Sequence, residues 1–161
     1  MENKTQIPMP FFCQADERWA KRLLTNESFR KSGCFVTCCA MLVSYTLGKI
    51  IYPNELDEWL DKNKGYDGNL LIPTKVSEYV KENGGLWQPQ HFVRLDMTKI
   101  KLIKSSNGYV PAIGRVKTKI GSTHFVVLLN EDGLINDPGH FKGANMTIAK
   151  QNYSLNRIYY F

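Results

Sequence analysis

Ser32-Gly33-Cys34-Phe35-Val36-Thr37-Cys38-Cys39-Ala40-Met41-Leu42-Val43-Ser44-Tyr45 is the stretch on which the reading of the chain turns. It opens with a turn and a lone Gly-Cys. It then runs apolar, with Val36, Cys39, Ala40, Val43 and Leu47 at helical spacing, until Gly48 supplies a stop. The pattern predicts a buried helix over 34–47 whose first turn carries Cys34. A thiol in that place faces backbone N–H groups that lack intrahelical partners, and the positive end of the helix dipole. Both favour thiolate over thiol, and the thiolate is the nucleophilic form. The plainer alternative for Cys34 is a cysteine buried in a core.

Outward from this helix the first half stays helical. Residues 1–10 are a polar lead with Pro8 and Pro10, expected to be extended. Phe11 or Phe12 meets the core, the chain turns polar towards Trp19, and residues 20–33 are loop with a short helical piece. Pro53 opens a second helix with Leu56, Trp59 and Leu60 inward, ending near Lys64-Gly65. A turn-rich segment follows from Gly65 to Asn69. A third helix is predicted at about 74–83, with Val76, Tyr79 and Val80 inward and Gly84-Gly85 as its stop.

The second half changes period. Residues 91–95 alternate as a strand, and Met97, Ile100 and Ile103 predict a short amphipathic helix over 97–105. Strands are expected at 109–116, with Pro111 near the start, at 123–129, at 134–137 and at 156–161. Asn130-Glu131-Asp132-Gly133 is a hairpin turn, and Pro138-Gly139 a break. Helices first and antiparallel strands second make an α+β fold, one domain over 1–161 with no repeat or linker.

The totals exclude several function classes. Hydrophobic content of 43% and charged content of 22% suit a globular domain, and no apolar stretch reaches membrane-spanning length. Met1 to Gln6 is polar with no apolar run behind it, so cytoplasmic synthesis without a signal peptide is expected. Action outside the cell then requires some other agent of release. The formal charge of +6 favours polyanions, an anionic cell-wall polymer among them. The basic residues are scattered, however, and no nucleic-acid-binding signature is present; a solvated basic surface is the simpler account. Of the four cysteines, Cys34 and Cys38 stand one helical turn apart, too far for good disulfide geometry. Reduced thiols are expected. The C-x-x-C pairs and finger-spaced histidines of zinc sites are missing, and no metal or cofactor is called for.

His124 opens the strong strand and Asp137 closes its partner. If the turn is residues 130–133, Leu129 faces Leu134 and Val126 faces Asp137, which puts Asp137 on the His124 face as a diagonal neighbour. Such neighbours lie about 7–8 Å apart at the backbone, within side-chain reach. A two-residue turn at Asp132-Gly133 moves Asp137 farther away, and a turn of odd length puts the two on opposite faces. Taken singly, His124 reads as a hydrogen-bonded histidine and Asp137 as a turn former. With a helix-start cysteine they make the set that papain-type catalysis requires: thiolate, imidazole as base then acid, carboxylate as orienter. Gln14 is a candidate oxyanion donor, with the Cys34 backbone N–H as the second. His140 is the alternative base if Asp137 faces away from His124. Substrate-binding residues are expected on loops 64–72, 84–90 and 117–122, with Tyr66 or Trp87 against the cleft or in the core.

These residues also carry a resemblance. Phe12-Cys13-Gln14-Ala15-Asp16-Glu17-Arg18-Trp19-Ala20 resembles the F-S-Q-x-D-x-R-W-A opening of a group of bacterial and phage cysteine peptidase-like proteins. Ser32 to Thr37 resembles their x-G-C-x-x-T nucleophile motif, and Ile51 to Leu60 their I-x-P-x-E-L-N-x-W-L helix. Thr123 to Val127 and Ile135 to Gly139 resemble their x-H-F-V-V and I-N-D-P strands. These are relatives of the bacteriocin-processing, double-glycine leader peptidases. The resemblance spans roughly residues 11–139. It implies a papain-like fold with Cys34 as nucleophile, His124 as base, Asp137 as orienter and Gln14 as oxyanion donor. Cys13 and Cys38-Cys39 depart from the pattern without touching that set. The chain resembles the free-standing branch, many of whose members occur in phages or in peptidoglycan-degrading enzymes. The expected reaction is amide cleavage in peptidoglycan stem peptides. A protease acting on a protein or peptide, and a non-catalytic binding module, are the alternatives.

Overall fold

An apolar run as long as that between Gly33 and Gly48 must be surrounded on nearly every side. The computed structural model of the chain, which describes residues 7–85 and 93–160, shows how that is done. Five helices and ten strands follow one another: α1 Phe29–Ser32, α2 Cys34–Leu47, α3 Pro53–Lys62, β1 Tyr66–Asp67, β2 Leu70–Leu71, α4 Pro73–Glu82, β3 Val93–Leu95, β4 Lys104–Ser105, β5 Gly108–Tyr109, β6 Ala112–Lys117, β7 Thr123–Leu128, β8 Leu134–Asn136, β9 Met146–Thr147, α5 Ile148–Gln151 and β10 Ser154–Tyr160. Every residue of α2 from Val36 to Ser44 is buried. Gly48 ends the helix in the left-handed region (φ 68°), a conformation open to glycine at no steric cost. Ser44 Oγ donates to Ala40 O (2.7 Å) and accepts from Ile51 N (2.8 Å), which folds the exit loop back against the helix.

α3 and α4 cover one side of α2. Leu56, Leu60, Val76 and Val80 join Phe29, Met41 and Val43 in one core. Both flanking helices begin at a proline, whose missing N–H costs nothing in a first turn. The buried Asp57 accepts from Arg22 Nε and from the Tyr66 hydroxyl, tying the entry loop, α3 and the β1–β2 ribbon together.

A six-stranded antiparallel sheet, in the order β3-β10-β6-β7-β8-β9, covers the other side. Alternation along its strands builds two layers. Ile113, Val127 and Tyr159 join the α2 core. Ala112, Val116, Val126, Leu128, Ile135 and Ile158 form a second core with Leu102. The expected α+β arrangement, helices N-terminal and antiparallel sheet C-terminal, is therefore present.

Three local expectations are corrected. Residues 97–105 are not a helix. Their backbone is satisfied from elsewhere: Met97 N donates to Asn156 O, Leu102 N to the Glu131 carboxylate, and Lys101 O accepts from the Tyr160 hydroxyl. Ile103, one of the three residues of the expected apolar stripe, is exposed, while Leu102 is buried. The expected strand 109–116 is split at Pro111, which has no N–H for a ladder; Tyr109 pairs with Lys104 in a separate ribbon, and β6 starts at Ala112. The turn-rich segment after Gly65 is itself a ribbon, with Tyr66 opposite Leu71. Of the strand expected at 91–95, residues 91 and 92 lie outside the described residues, as does Trp87. Among the described residues, no helix is long and apolar enough to cross a membrane.

Gly33, the residue before α2, has no room for a side chain. A Cβ there would lie 2.6 Å from Phe29 O and 2.9 Å from Phe29 Cα, in a residue with no exposed surface. Gly33→Ala is expected to lower the unfolding free energy by about 2 kcal/mol through overpacking. Urea unfolding checks it; a midpoint equal to wild type would show that the turn yields freely.

Candidate active site

The hairpin sets the first part of the geometry. Leu128 pairs with Ile135 and Val127 with Asn136, and Leu129 N donates to Leu134 O (2.9 Å). The turn is therefore residues 130–133. Asn130 Oδ1 accepts from the N–H groups of Asp132 and Leu134 (3.0 Å each), and Gly133 supplies a φ of 93°. Carried one step further, this register sets Asp137 opposite Val126 and on the His124 side of the sheet. His124 Nε2 lies 2.7 Å from Asp137 Oδ1.

Cys34 is the first residue of α2, directly after Gly33. Its side chain lies within interaction range of the His124 imidazole. Burial alone would pull the His124 pKa down. The hydrogen bonds to Asp137 and Cys34, and the charges of those groups, push it up to about 10. The imidazole is thus a protonated, doubly engaged cation at neutral pH.

Asp137 has no exposed surface. Oδ1 also accepts from Gly139 N (2.8 Å), and Oδ2 accepts from the Tyr153 hydroxyl (2.7 Å). Burial by itself would raise its pKa; the His124 hydrogen bond and charge, with Tyr153 and Gly139, outweigh that and hold the carboxyl below its ordinary range. His140, the alternative base, lies 3.5 Å from Oδ2 with a half-exposed side chain. Its role required Asp137 to face away from His124, and Asp137 faces His124.

Gln14 is buried rather than a loose loop residue. Its backbone N–H donates to Pro138 O (2.8 Å), beside Asp137. Its side-chain Nε2 donates to Arg30 O at 3.0 Å and reaches Phe29 O only at 3.5 Å. The amide is thus clamped to the turn that leads into Cys34, with one N–H weakly engaged.

The four cysteines are free, and only Cys34 is not buried. Burial pushes the thiols of Cys38 and Cys39 well up, and raises that of Cys13, where Ala15 N–H and Arg30 only partly offset it. All three stay protonated at neutral pH. Among the described residues no cluster of three or more His, Cys, Asp or Glu side chains is placed to hold a metal ion.

Sequence reasoning missed two members of this site. Tyr153 places its hydroxyl on Asp137 and the edge of its ring against His124, centroids 5.8 Å apart. No periodicity or motif marks it. Gly143 donates no side chain because none fits: a Cβ would lie 1.9 Å from Asp137 O, and Gly143 O accepts from Asp137 N (2.8 Å).

Cys34 opens on a cavity of about 700 Å³ between the helical half and the sheet. Phe35, Tyr66, Arg115, Phe125 and Tyr159 contribute to its walls. Tyr66 therefore does line the cleft, and loop 64–72 supplies Asn69 and Leu70 as well; residues 117–122 supply none. No family model matches the chain, and no curated protein matches it.

The site carries a pH signature. The pKa of His124 rises on folding from an ordinary 6.5 to about 10. Its stabilising contribution is therefore complete below about pH 6.5 and is lost as pH climbs through about 10. Asp137 acts in the opposite sense: its contribution is present above the ordinary carboxylate range and is lost on acidification. Urea midpoints at stepped pH should fall on the alkaline side in wild type and much less in Asp137→Asn. In Tyr153→Phe, which removes a donor from Asp137, the acid-side loss should be smaller and complete at a higher pH. Coincident curves for the three proteins would show that the triad is not energetically linked.

Proposed function

We propose that the protein is a cysteine-dependent amide hydrolase of papain-like fold, related to the leader-peptidase group that the sequence motifs resemble. The observation that carries the reading is the relay itself: a half-buried cysteine at a helix start beside an imidazole that is held 2.7 Å from a buried carboxylate. Three distant segments, 34, 124 and 137, meet there, and Cys34 also lines a cavity of about 700 Å³.

In the proposed reaction the Cys34 sulfur, its proton resting on His124, attacks the carbonyl carbon of a bound amide. A C–S bond forms and the carbonyl π electrons move to oxygen. The Cys34 backbone N–H is one donor for that oxyanion; Gln14, whose Nε2 donates to Arg30 O and Phe29 O, becomes the second only by releasing the longer of these bonds. The oxyanion collapses, the C–N bond breaks, and His124 gives its proton to the departing amine. Water, deprotonated by His124, then attacks the thioester. The C–S bond breaks, and a carboxylic acid and the thiol are released. Asp137 keeps the ring in the orientation that serves both transfers and stabilises its charge.

The proposed substrate is the peptide part of bacterial cell wall, in the manner of phage lysins. The net charge of +6 supports this, because it draws the protein to anionic wall polymers, and so does the resemblance to the phage branch. A protein or peptide substrate in the cytoplasm or in phage assembly is the competing reading, and it would use the same relay.

Turbidity of purified Gram-positive walls should fall with wild type, with new amine termini seen by mass spectrometry. Cys34→Ala and His124→Ala should each lose at least about a thousandfold in rate. If walls stay intact while iodoacetamide captures Cys34 at neutral pH, the substrate is a protein or peptide. If Cys34 is inert at neutral pH, the hydrolase reading fails and a binding module remains.

A further inference from the structure

Arg115 of β6 and Arg157 of β10 stand directly opposite one another in the sheet. Like charges in directly opposed positions repel, so such a pair needs a reason. Regular alternation would not have produced it. Leu155 pairs with Val116 in the far core, the register then shifts between Leu155 and Arg157, and the bulge brings Arg157 to Arg115. Re-aiming a side chain is what a bulge does. Both arginines line the cavity that holds Cys34.

The two differ in their partners. Arg157 Nε donates to Asp96 Oδ1 (2.7 Å) and a terminal nitrogen to the Tyr159 hydroxyl (3.3 Å). Arg115 is half-buried, and its guanidinium has no hydrogen-bond or ion-pair partner among the described residues. The one carboxylate in the cavity lining belongs to Glu27, and Lys31 and Ser32 occupy it. Beside the two arginines one wall is aromatic. Phe35 and Phe125 stack in parallel with centroids 4.2 Å apart, and Tyr159 leans on both. A guanidinium drawn partly out of water carries a desolvation cost. A planar bidentate acceptor removes that cost, and a carboxylate matches the fork.

We propose that Arg115, with Arg157 beside it, is the subsite for a free carboxylate of the substrate. The protein then selects peptides that carry a carboxylate within reach of the scissile amide. The proposal rests on the reading of Cys34 as the nucleophile and narrows its substrate class. Two sources offer the same chemistry, an acidic side chain and a chain terminus.

Alkylation of Cys34 by iodoacetate and by the neutral iodoacetamide tests this. The rate ratio is followed by mass spectrometry and normalised to N-acetylcysteine. At about pH 9 an accessible thiol reacts whether or not it is activated, so the ratio can be measured even if the hydrolase reading fails. Failure of that reading shows separately, as loss of labelling at neutral pH. Wild type should prefer iodoacetate with saturating kinetics. Arg115→Gln should cut the preference about tenfold, and Arg115→Lys, which keeps the charge but not the fork, should restore it only in part. A change of less than about twofold in Arg115→Gln, or full preference in Arg115→Lys, would overturn the proposal in favour of a diffuse field. In unmutated protein, protection of Cys34 from iodoacetamide is compared for N-acetylglutamic acid α-amide and for N-acetylalanine. Protection by the first assigns a side-chain carboxylate and by the second a chain terminus; protection by neither overturns the proposal.

Discussion

A carboxylate with no surface in water must be neutralised by what surrounds it, and Asp137 sets that demand at the centre of this protein. Three groups answer it, and two more hold the backbone around it. His124 comes from β7, the Gly139 amide from the loop just after, and the Tyr153 hydroxyl from the approach to β10. Gly143 closes the loop on the Asp137 backbone. Gln14 reaches across from the N-terminal half to bond Pro138 O. The same contacts that settle the charge of Asp137 also aim the imidazole. Orientation of the base and stability of the C-terminal layer are therefore one arrangement.

The second constraint is that α2 must present its first residue to that imidazole. Phe35 follows Cys34 and stacks flat on Phe125, which follows His124. Tyr159 of β10 touches both rings. An aromatic contact one residue from each of Cys34 and His124 locks the helix start to the strand start. Behind it, Gly33 leaves no clearance over Phe29, so the turn has little room to shift. Precision at the sulfur comes from packing on either side of it, since neither a disulfide nor, among the described residues, a metal cluster holds the two halves together.

Much of this was legible in the sequence where a local rule speaks. The helix 34–47 ends where its glycines say. The 130–133 turn fixes a register from which the meeting of His124 and Asp137 follows by counting. Legibility failed where the decisive partner is remote. Residues 97–105 have helical spacing, yet Asn156, Glu131 and Tyr160 claim their backbone groups. Tyr153 sits in an unpatterned stretch, and its role exists only because Asp137 is near. The bulge between Leu155 and Arg157 leaves no mark in composition, though it decides which face of the sheet carries the arginine. Gly143 reads as one more loop glycine until the Asp137 carbonyl is placed against it.

The three cysteines of α2 show how position alone divides chemistry. Cys34, Cys38 and Cys39 lie within six residues of one helix and share its dipole. Each residue along a helix rises about 1.5 Å, so Cys38 and Cys39 sit one turn deeper, where no surface remains. There burial works against the charged form, and the thiols are held as neutral core side chains. Only at the first residue do a helix start, a neighbouring imidazole and an open cleft coincide. A cysteine moved one turn along the helix would keep its neighbours in sequence and lose all three. The setting of Cys34 thus belongs to the junction of helix start and sheet edge, and the same junction opens the cavity that Arg115 lines.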